Sequence, residues 1–306
     1  MRWRKLGVVY RPDGSSDWAY SHAMIPTPTV LNERVLRIYL SFRDRDNVGR
    51  AGYVDVNRAD PRQVVGVSAR PVLDIGLPGT FDENGILPTC VLNIGQNTKY
   101  MYYVGFELGT KIRYRLLTGL AVSTDGGETF QRVRKTPILE RSDEELYFRC
   151  GPHVIRDAAI FKMWYVAGSD WTLVSGKSMP VYVLKYLESE DGINWADCGI
   201  LSLDITDPDE HGFGRPYVIK EGDRYRMHYS IRKRSVAAYR LGYAESQDGI
   251  HWTRRDAELG LDVSSSGWDS EAIMYSAEIK VGDQTYLFYN GNNFGETGFG
   301  VAVLEE

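Results

Sequence analysis

One hairpin recurs throughout this sequence. The strand Leu241-Gly242-Tyr243-Ala244 runs into Ser246-Gln247-Asp248-Gly249-Ile250-His251-Trp252. The same text stands at Ser189-Glu190-Asp191-Gly192-Ile193-Asn194-Trp195 and, with Phe for Trp, at Ser123-Thr124-Asp125-Gly126-Gly127-Glu128-Thr129-Phe130. Each copy reads as a strand, an Asp-Gly turn that tolerates positive φ, and a second strand opening on a large aromatic. Two further copies of the strand, with degenerate turns, stand at residues 51–56 and 299–304. The anchors Gly52, Gly119, Lys185, Gly242 and Gly300 are 67, 66, 57 and 58 residues apart. Five such steps consume the whole sequence, and a fixed period of several short strands predicts an all-β, five-bladed β-propeller, one domain over residues 1–306.

Each repeat carries two earlier strands. The innermost are predicted at 23–31, 85–93, 151–155, 215–219 and 272–279. The aromatic middle ones are predicted at 36–42, 100–105, 161–167, 225–230 and 285–290. Repeat one has a weak fourth strand near 64–68, and residues 6–10 follow no repeat. The N-terminal segment is therefore expected to complete the last blade as its outer strand and leave no open edge.

A net charge of -5 and a pI near 5.7 give no general attraction to nucleic acid or to an anionic membrane, so neither is expected as a partner. Cys90, Cys150 and Cys198 are too few and too scattered for a disulfide framework or a metal knuckle, and read as buried free thiols. The N-terminus has no apolar run of signal-peptide length, so a cytoplasmic protein is expected. No metal or cofactor motif stands out.

In a propeller the start of each first strand and the end of each second strand open on one face. Those positions hold His22, Arg43 and Asp44 in repeat one, and Asp82, Glu83 and Glu107 in repeat two. Repeat three supplies Arg149, His153, Asp170 and Trp171, repeat four Arg215 and Arg232, and repeat five Asp269, Glu271, Asn290 and Asn292. Carboxylates can act as acid, base or nucleophile at an acetal centre, and aromatic faces stack on sugar rings. Arginine offers a planar fork for carboxylate or phosphate, so the ligand is expected to carry an anion: an acidic sugar, a sugar phosphate or a nucleotide sugar. The catalytic candidates are Asp82, Glu83, Glu271, Asp269, His22 and His153, and the remaining rim residues are candidate substrate ligands. Residues 43–46 read equally as a solvated turn of alternating charge. The Asp-Gly turns read as structural.

The repeated turns, the strands before them and the polar residues preceding the inner strands make the sequence similar to the five-bladed propellers of glycoside hydrolase families 32, 43, 62, 68 and 130. Ser21-His22-Ala23, Phe81-Asp82-Glu83-Asn84-Gly85 and Gly267-Trp268-Asp269-Ser270-Glu271 resemble the glycosidase-like propellers of bacterial surface-polysaccharide or sugar pathways. The resemblance implies a sugar substrate. It also implies, by the family 43 pattern, an Asp, an Asp and a Glu on the first three inner strands. Here only Asp82 matches by type. His22 stands in the first place, and Arg149, Cys150 and His153 in the third. The expected function is a carbohydrate-active enzyme at a glycosidic or glycosyl-phosphate bond of an anionic sugar. The alternatives are a phosphorylase or transferase whose arginines hold phosphate, and a sugar-binding propeller without catalysis.

Overall fold

The computed structural model describes residues 1–305. Strand β1 (Trp3–Tyr10) is followed by a first sheet, β2 (Ser21–Val30), β3 (Val35–Arg43), β4 (Gly49–Asn57) and β5 (Val64–Val67). A second sheet is β6 (Ile86–Asn93), β7 (Lys99–Leu108), β8 (Tyr114–Ser123) and β9 (Gln131–Arg132). The third holds β10 (Phe148–Asp157), β11 (Ile160–Val174), β12 (Lys177–Ser189) and β13 (Ile200–Leu203), and the fourth β14 (Glu210–Glu221), β15 (Arg224–Lys233), β16 (Ala238–Ser246) and β17 (Thr253–Arg254). The last is β18 (Met274–Val281), β19 (Gln284–Asn290) and β20 (Phe299–Leu304), and β1 pairs antiparallel with β20 as its fourth strand. The closure expected of the N-terminal segment is thus observed. No helix among the described residues is long and apolar enough to cross a membrane.

These strand groups follow one another around one axis, and short parallel pairings of β8 with β10 and of β12 with β14 join the second, third and fourth into one continuous sheet. The first strands β2, β6, β10, β14 and β18 touch in cyclic order, β18 returning to β2. Apolar side chains fill the spaces between consecutive sheets. Tyr39, Met101 and Leu117 join the first to the second, Tyr102, Val154 and Met163 the second to the third, and Trp164, Val218 and Met227 the third to the fourth. Tyr243 and Leu287 join the fourth to the fifth, and Leu36, Val54, Phe288 and Val301 the fifth to the first. Burial of this kind is worth roughly 1.5–3 kcal/mol per large side chain. The ring is held by its interfaces rather than by one central core.

The repeated turn has a second use besides reversing the backbone. Asp191 Oδ1 accepts the backbone N–H groups of Ile193 and Asn194, and Ser189 Oγ accepts that of Gly192; Asp248 and Ser246 do the same for Ile250, His251 and Gly249. The glycine carbonyl so displayed accepts a donor from the preceding sheet: Tyr39 Oη at Gly127, Tyr102 Oη at Gly192 and Trp164 Nε1 at Gly249. A Cβ on Gly192, whose φ is +70°, would stand 2.7 Å from the Tyr102 hydroxyl. Each turn therefore clasps its sheet to the one before it.

Of the three cysteines, Cys90 and Cys150 are buried, as expected, whereas Cys198 is exposed. The cause is local: it lies in the loop before the short outer strand β13, at the rim of the ring.

Candidate functional site

The middle strands carry a tyrosine directly opposite the anchor position in four of the five sheets: Tyr103 opposite Gly119, Tyr165 opposite Lys185, Tyr229 opposite Gly242 and Tyr289 opposite Gly300. Glycine at the anchor makes room for the ring; a Cβ on Gly119 would lie 2.2 Å from Tyr103. Each tyrosine hydroxyl donates to a carboxylate that also holds a cation. Asp82 accepts from Tyr103 at 3.0 Å and Arg132 Nε at 2.7 Å, and Asp269 from Tyr289 at 3.1 Å and Lys5 Nζ at 2.7 Å. Glu145 accepts from Tyr165 at 2.9 Å and Lys185 Nζ at 2.8 Å and forms an ion pair with Arg149 Nε at 2.6 Å. In the fourth sheet Asp256 takes Tyr229 at 2.6 Å, and Arg254 joins Asp256 to the buried Glu210. Burial alone would raise the Glu145 carboxyl, but Lys185 and Arg149 hold it below the usual carboxylate range. The lysine that breaks the glycine series at position 185 supplies the cation that an outer strand supplies elsewhere.

This staple claims several expected site residues. Asp82 and Asp269 are fully buried with their oxygens engaged inside their own sheets, and so do not present a free carboxylate at the mouth. Arg149 points away from the axis, donating to the carbonyls of Glu140 and Ala196 besides its pair with Glu145.

A second group ties the ring together at the axis. The inner strands bulge at Ile25-Pro26, Gly151-Pro152, Arg215-Pro216 and Tyr275-Ser276, with the first residue of each in the left-handed region. The bulge carries Arg215 into the ring centre, where Nη1 donates to Tyr275 O at 2.6 Å and Ser276 O at 3.0 Å and Nη2 to Thr27 Oγ1 at 2.9 Å. Burial pushes this guanidinium down to about 10. His153 Nδ1 accepts the Val218 N–H, its ring lies 4.3 Å from that of Tyr217, and burial with Arg215 nearby pushes it down to about 3. Asn290 joins the last sheet to the first through Ile25 N, Ala23 O and Gly298 O, and Asn292 caps the approach to β18 at the N–H groups of Glu271 and Ala272. Arg215, His153 and Asn290 therefore join neighbouring sheets, and Asn292 holds the approach to β18 within the last sheet.

What remains at the mouth is gathered between the third, fourth, fifth and first sheets. His22, 7% exposed, shares a hydrogen bond of 3.0 Å with Ser21 Oγ; burial, with Arg43 adding to it, pushes the imidazole down to about 4, while Glu296 acts the other way. Burial also lowers Arg43, whose charge is felt by Tyr275 and Glu296 and whose side-chain partner is Asn47 at 2.9 Å. Arg232, 8% exposed, donates from Nε to Tyr239 Oη and lies 4.8 Å from the Tyr239 ring centre and 5.3 Å from that of Tyr182. Trp171 packs 5.4 Å from Tyr114 and 5.4 Å from Phe148, and Phe148 lies 4.8 Å from Tyr182. Arg232 Nη1 and Trp171 Nε1 are buried and have no hydrogen-bond acceptor. Among the described residues no carboxylate pairs with Arg43, Arg215 or Arg232. Tyr182 and Tyr275 are pushed well above 10 by burial, so they are neutral and bring no counter-charge.

The other expected residues stand apart. Asp44 caps its own turn at the N–H groups of Asp46 and Val48, Glu107 pairs with Arg115 at 3.2 Å, and Glu83 accepts the Gly79 N–H at 2.6 Å. Asp170 and Glu271 are exposed. A concavity of about 510 Å³ beside Arg115, Glu140 and Tyr147, and one of about 370 Å³ at Arg226 and Glu278, hold none of the mouth residues His22, Arg43, Trp171 or Arg232. Sequence reasoning passed over Tyr114, Tyr182, Tyr239, Tyr275 and Glu296. A signal existed for Tyr275 alone, since it occupies the bulge position that Ile25, Gly151 and Arg215 mark by a following proline.

No family model matches the protein. It is 33% identical over 305 residues to "Uncharacterized protein Rv1502" of Mycobacterium tuberculosis, with 100% of each sequence covered, and equally to "Uncharacterized protein MT1551" from another strain of that organism. Among solved structures, one described as "Glycoside hydrolase" superposes with a TM-score of 0.75 at 19% identity, covering 99% of this protein and 91% of the other. A thermostable family-43 glycoside hydrolase gives a TM-score of 0.68 at 15% identity over 94% and 91%. A glycosyl hydrolase from Bacteroides ovatus gives 0.72 at 13% identity over 99% and 92%. The fold is that of the glycosidase-like propellers.

Proposed function

Because the protein belongs to the family of the Mycobacterium tuberculosis protein Rv1502 and shares the glycosidase-like fold, we propose that it is a carbohydrate-active enzyme working on an anionic sugar at the mouth of a single five-bladed ring. The observation that carries the reading is that buried Arg232 and half-buried Arg43 lack ion-pair partners beside neutral tyrosines and an indole. Leaving a buried charge unpaired costs several kcal/mol, and a fold that retains one has a use for an anion there. Tyrosine and tryptophan faces suit the C–H surface of a sugar ring.

The chemistry at the mouth favours one acid over two. A pair of glycosidase carboxyl groups stands about 5 to 9.5 Å apart across the bond that breaks. Asp82 and Asp269 are held inside the staples, which leaves, of the pairings drawn from Asp82 or Glu83 with Asp269 or Glu271, only Glu83 with Glu271, and there Glu83 accepts the Gly79 N–H and Glu271 is exposed. Phosphorolysis or transfer, with arginine holding the anion and His22 or Glu296 moving the proton, is the reading the residues support best. His22, neutral above about 4, can accept a proton at Nε2 while Ser21 fixes Nδ1.

The test is turnover of glycosyl phosphates and acidic glycosides, with and without inorganic phosphate. The expected result is phosphate-dependent turnover that His22→Gln lowers about 100-fold or more, the usual weight of a general acid or base. Phosphate-independent hydrolysis that survives His22→Gln and is lost in Glu83→Gln or Glu271→Gln would return the protein to the two-acid mechanism. Binding of such sugars with no turnover of any would leave a binding propeller.

A further inference from the structure

Two unused donors at the mouth narrow the kind of anion it takes. We infer that Arg232 and Trp171 form a subsite for the carboxylate of an acidic sugar, an inference that rests on the anionic-sugar reading above. Arg232 Nη1 and Trp171 Nε1 are both buried with nothing to donate to. They belong to one aromatic frame: Trp171 packs on Phe148, Phe148 on Tyr182, and Tyr182 lies under the Arg232 guanidinium. Nitrogens of Arg50, Arg149 and Arg215 also lack a hydrogen bond, but the first two stand 3.2 and 2.6 Å from a carboxylate and Arg215 donates from both Nη atoms, so Arg232 is the guanidinium with a free Nη1 and no carboxylate beside it.

Charge and donor count choose among anions. The frame provides one positive charge, because its tyrosines are neutral and no carboxylate among the described residues pairs with Arg232. Arg43, the next guanidinium, already feels Glu296. A carboxylate carries one charge and presents two coplanar oxygens, which suits the single guanidinium of Arg232, with the Trp171 indole flanking it in the same frame. A phosphate monoester carries nearly two charges and three oxygens at neutral pH. It would leave an oxygen and a charge unmatched in a frame with no lysine.

Phe294 borders the frame, its ring lying edge-on 6.1 Å from Tyr239. Phe294 and Asn293 are consecutive residues at φ 57° and 50°, a left-handed pair that asparagine tolerates and phenylalanine seldom adopts. Strained residues of this kind gather at ligand clamps, and this one sets an aromatic ring against Tyr239.

Calorimetric titration of the full-length protein with D-glucuronate, D-galacturonate, glucose 6-phosphate and glucose tests the assignment. Uronates should bind more tightly than the phosphate or the neutral sugar. Arg232→Gln should weaken uronate about tenfold or more, and Trp171→Phe, which keeps the aromatic packing and removes the donor, about three- to tenfold. Thermal melting of both variants establishes that they are folded. Uronate affinity unchanged in both folded variants overturns the subsite. If glucose 6-phosphate binds more tightly than the uronates, the anionic-sugar reading stands and the carboxylate assignment falls. If neither anion binds better than glucose, both fall together.

Discussion

Buried charge is handled in two opposite ways in this molecule. In the sheets, Asp82, Glu145, Asp256 and Asp269 are each matched by a tyrosine hydroxyl and a cation within hydrogen-bond distance. At the mouth, Arg232 is buried and half-buried Arg43 is partly desolvated, and neither forms an ion pair with a carboxylate among the described residues. The first arrangement repeats around the ring with the period of the fold, whereas the second occurs once and breaks the symmetry. A charge that is satisfied and repeated belongs to the scaffold. A charge that is unsatisfied and unique is held ready for something the protein itself does not contain.

The two kinds of charge separate most sharply where a staple is broken. Asp269→Asn leaves Lys5 facing a neutral amide inside the sheet, and is expected to cost about 3–5 kcal/mol in urea denaturation, the penalty for breaking a buried pair. A loss below about 1 kcal/mol would mean the staple is incidental. Next in size, Gly119→Ala drives a methyl group into Tyr103 and should cost about 1–3 kcal/mol, while Gly126→Ala, in open space but at φ +79°, should cost less. Asp191→Ala, which frees two backbone N–H groups at an exposed turn, should cost about 1 kcal/mol. A further effect is read against pH. His22 and His153 are held neutral, at about 4 and about 3, whereas the unfolded state protonates them near 6.5. The unfolded state binds more protons in that window, so stability is full above about pH 6.5 and falls as pH drops through about 4. His22→Gln should flatten the slope between about pH 6 and 4, and an unchanged slope would show that His22 is solvated.

The ring was legible in the sequence because its signal is repeated. Gly52, Gly119, Gly242 and Gly300 mark the places where one strand must leave room for a ring or a neighbour, and the Asp-Gly turns recur because each clasps the previous sheet. The site was only partly legible. Asp82 and Asp269 have the residue type and sequence position of catalytic acids, and only the distances to Arg132 and Lys5 reveal that they are staples. Arg149, Arg215 and Arg232 look alike in sequence. One turns outward to an ion pair with Glu145, one donates both Nη atoms across the axis, and one keeps a free Nη1 with no carboxylate paired to it, a difference set by the bulge at Arg215 and by the neighbours in other sheets. Tyr114, Tyr182, Tyr239 and Tyr275 come from different sheets, and no spacing in the sequence brings them together.

The most direct test is urea denaturation of Arg232→Gln, with and without saturating D-glucuronate, against the wild-type protein. If the mouth arginine is a charge held for a ligand, the variant alone is as stable as wild type or more so, and the ligand no longer raises its midpoint. If Arg232→Gln instead loses about 3–5 kcal/mol, as Asp269→Asn is expected to, Arg232 is one more staple and the distinction between the two kinds of buried charge collapses.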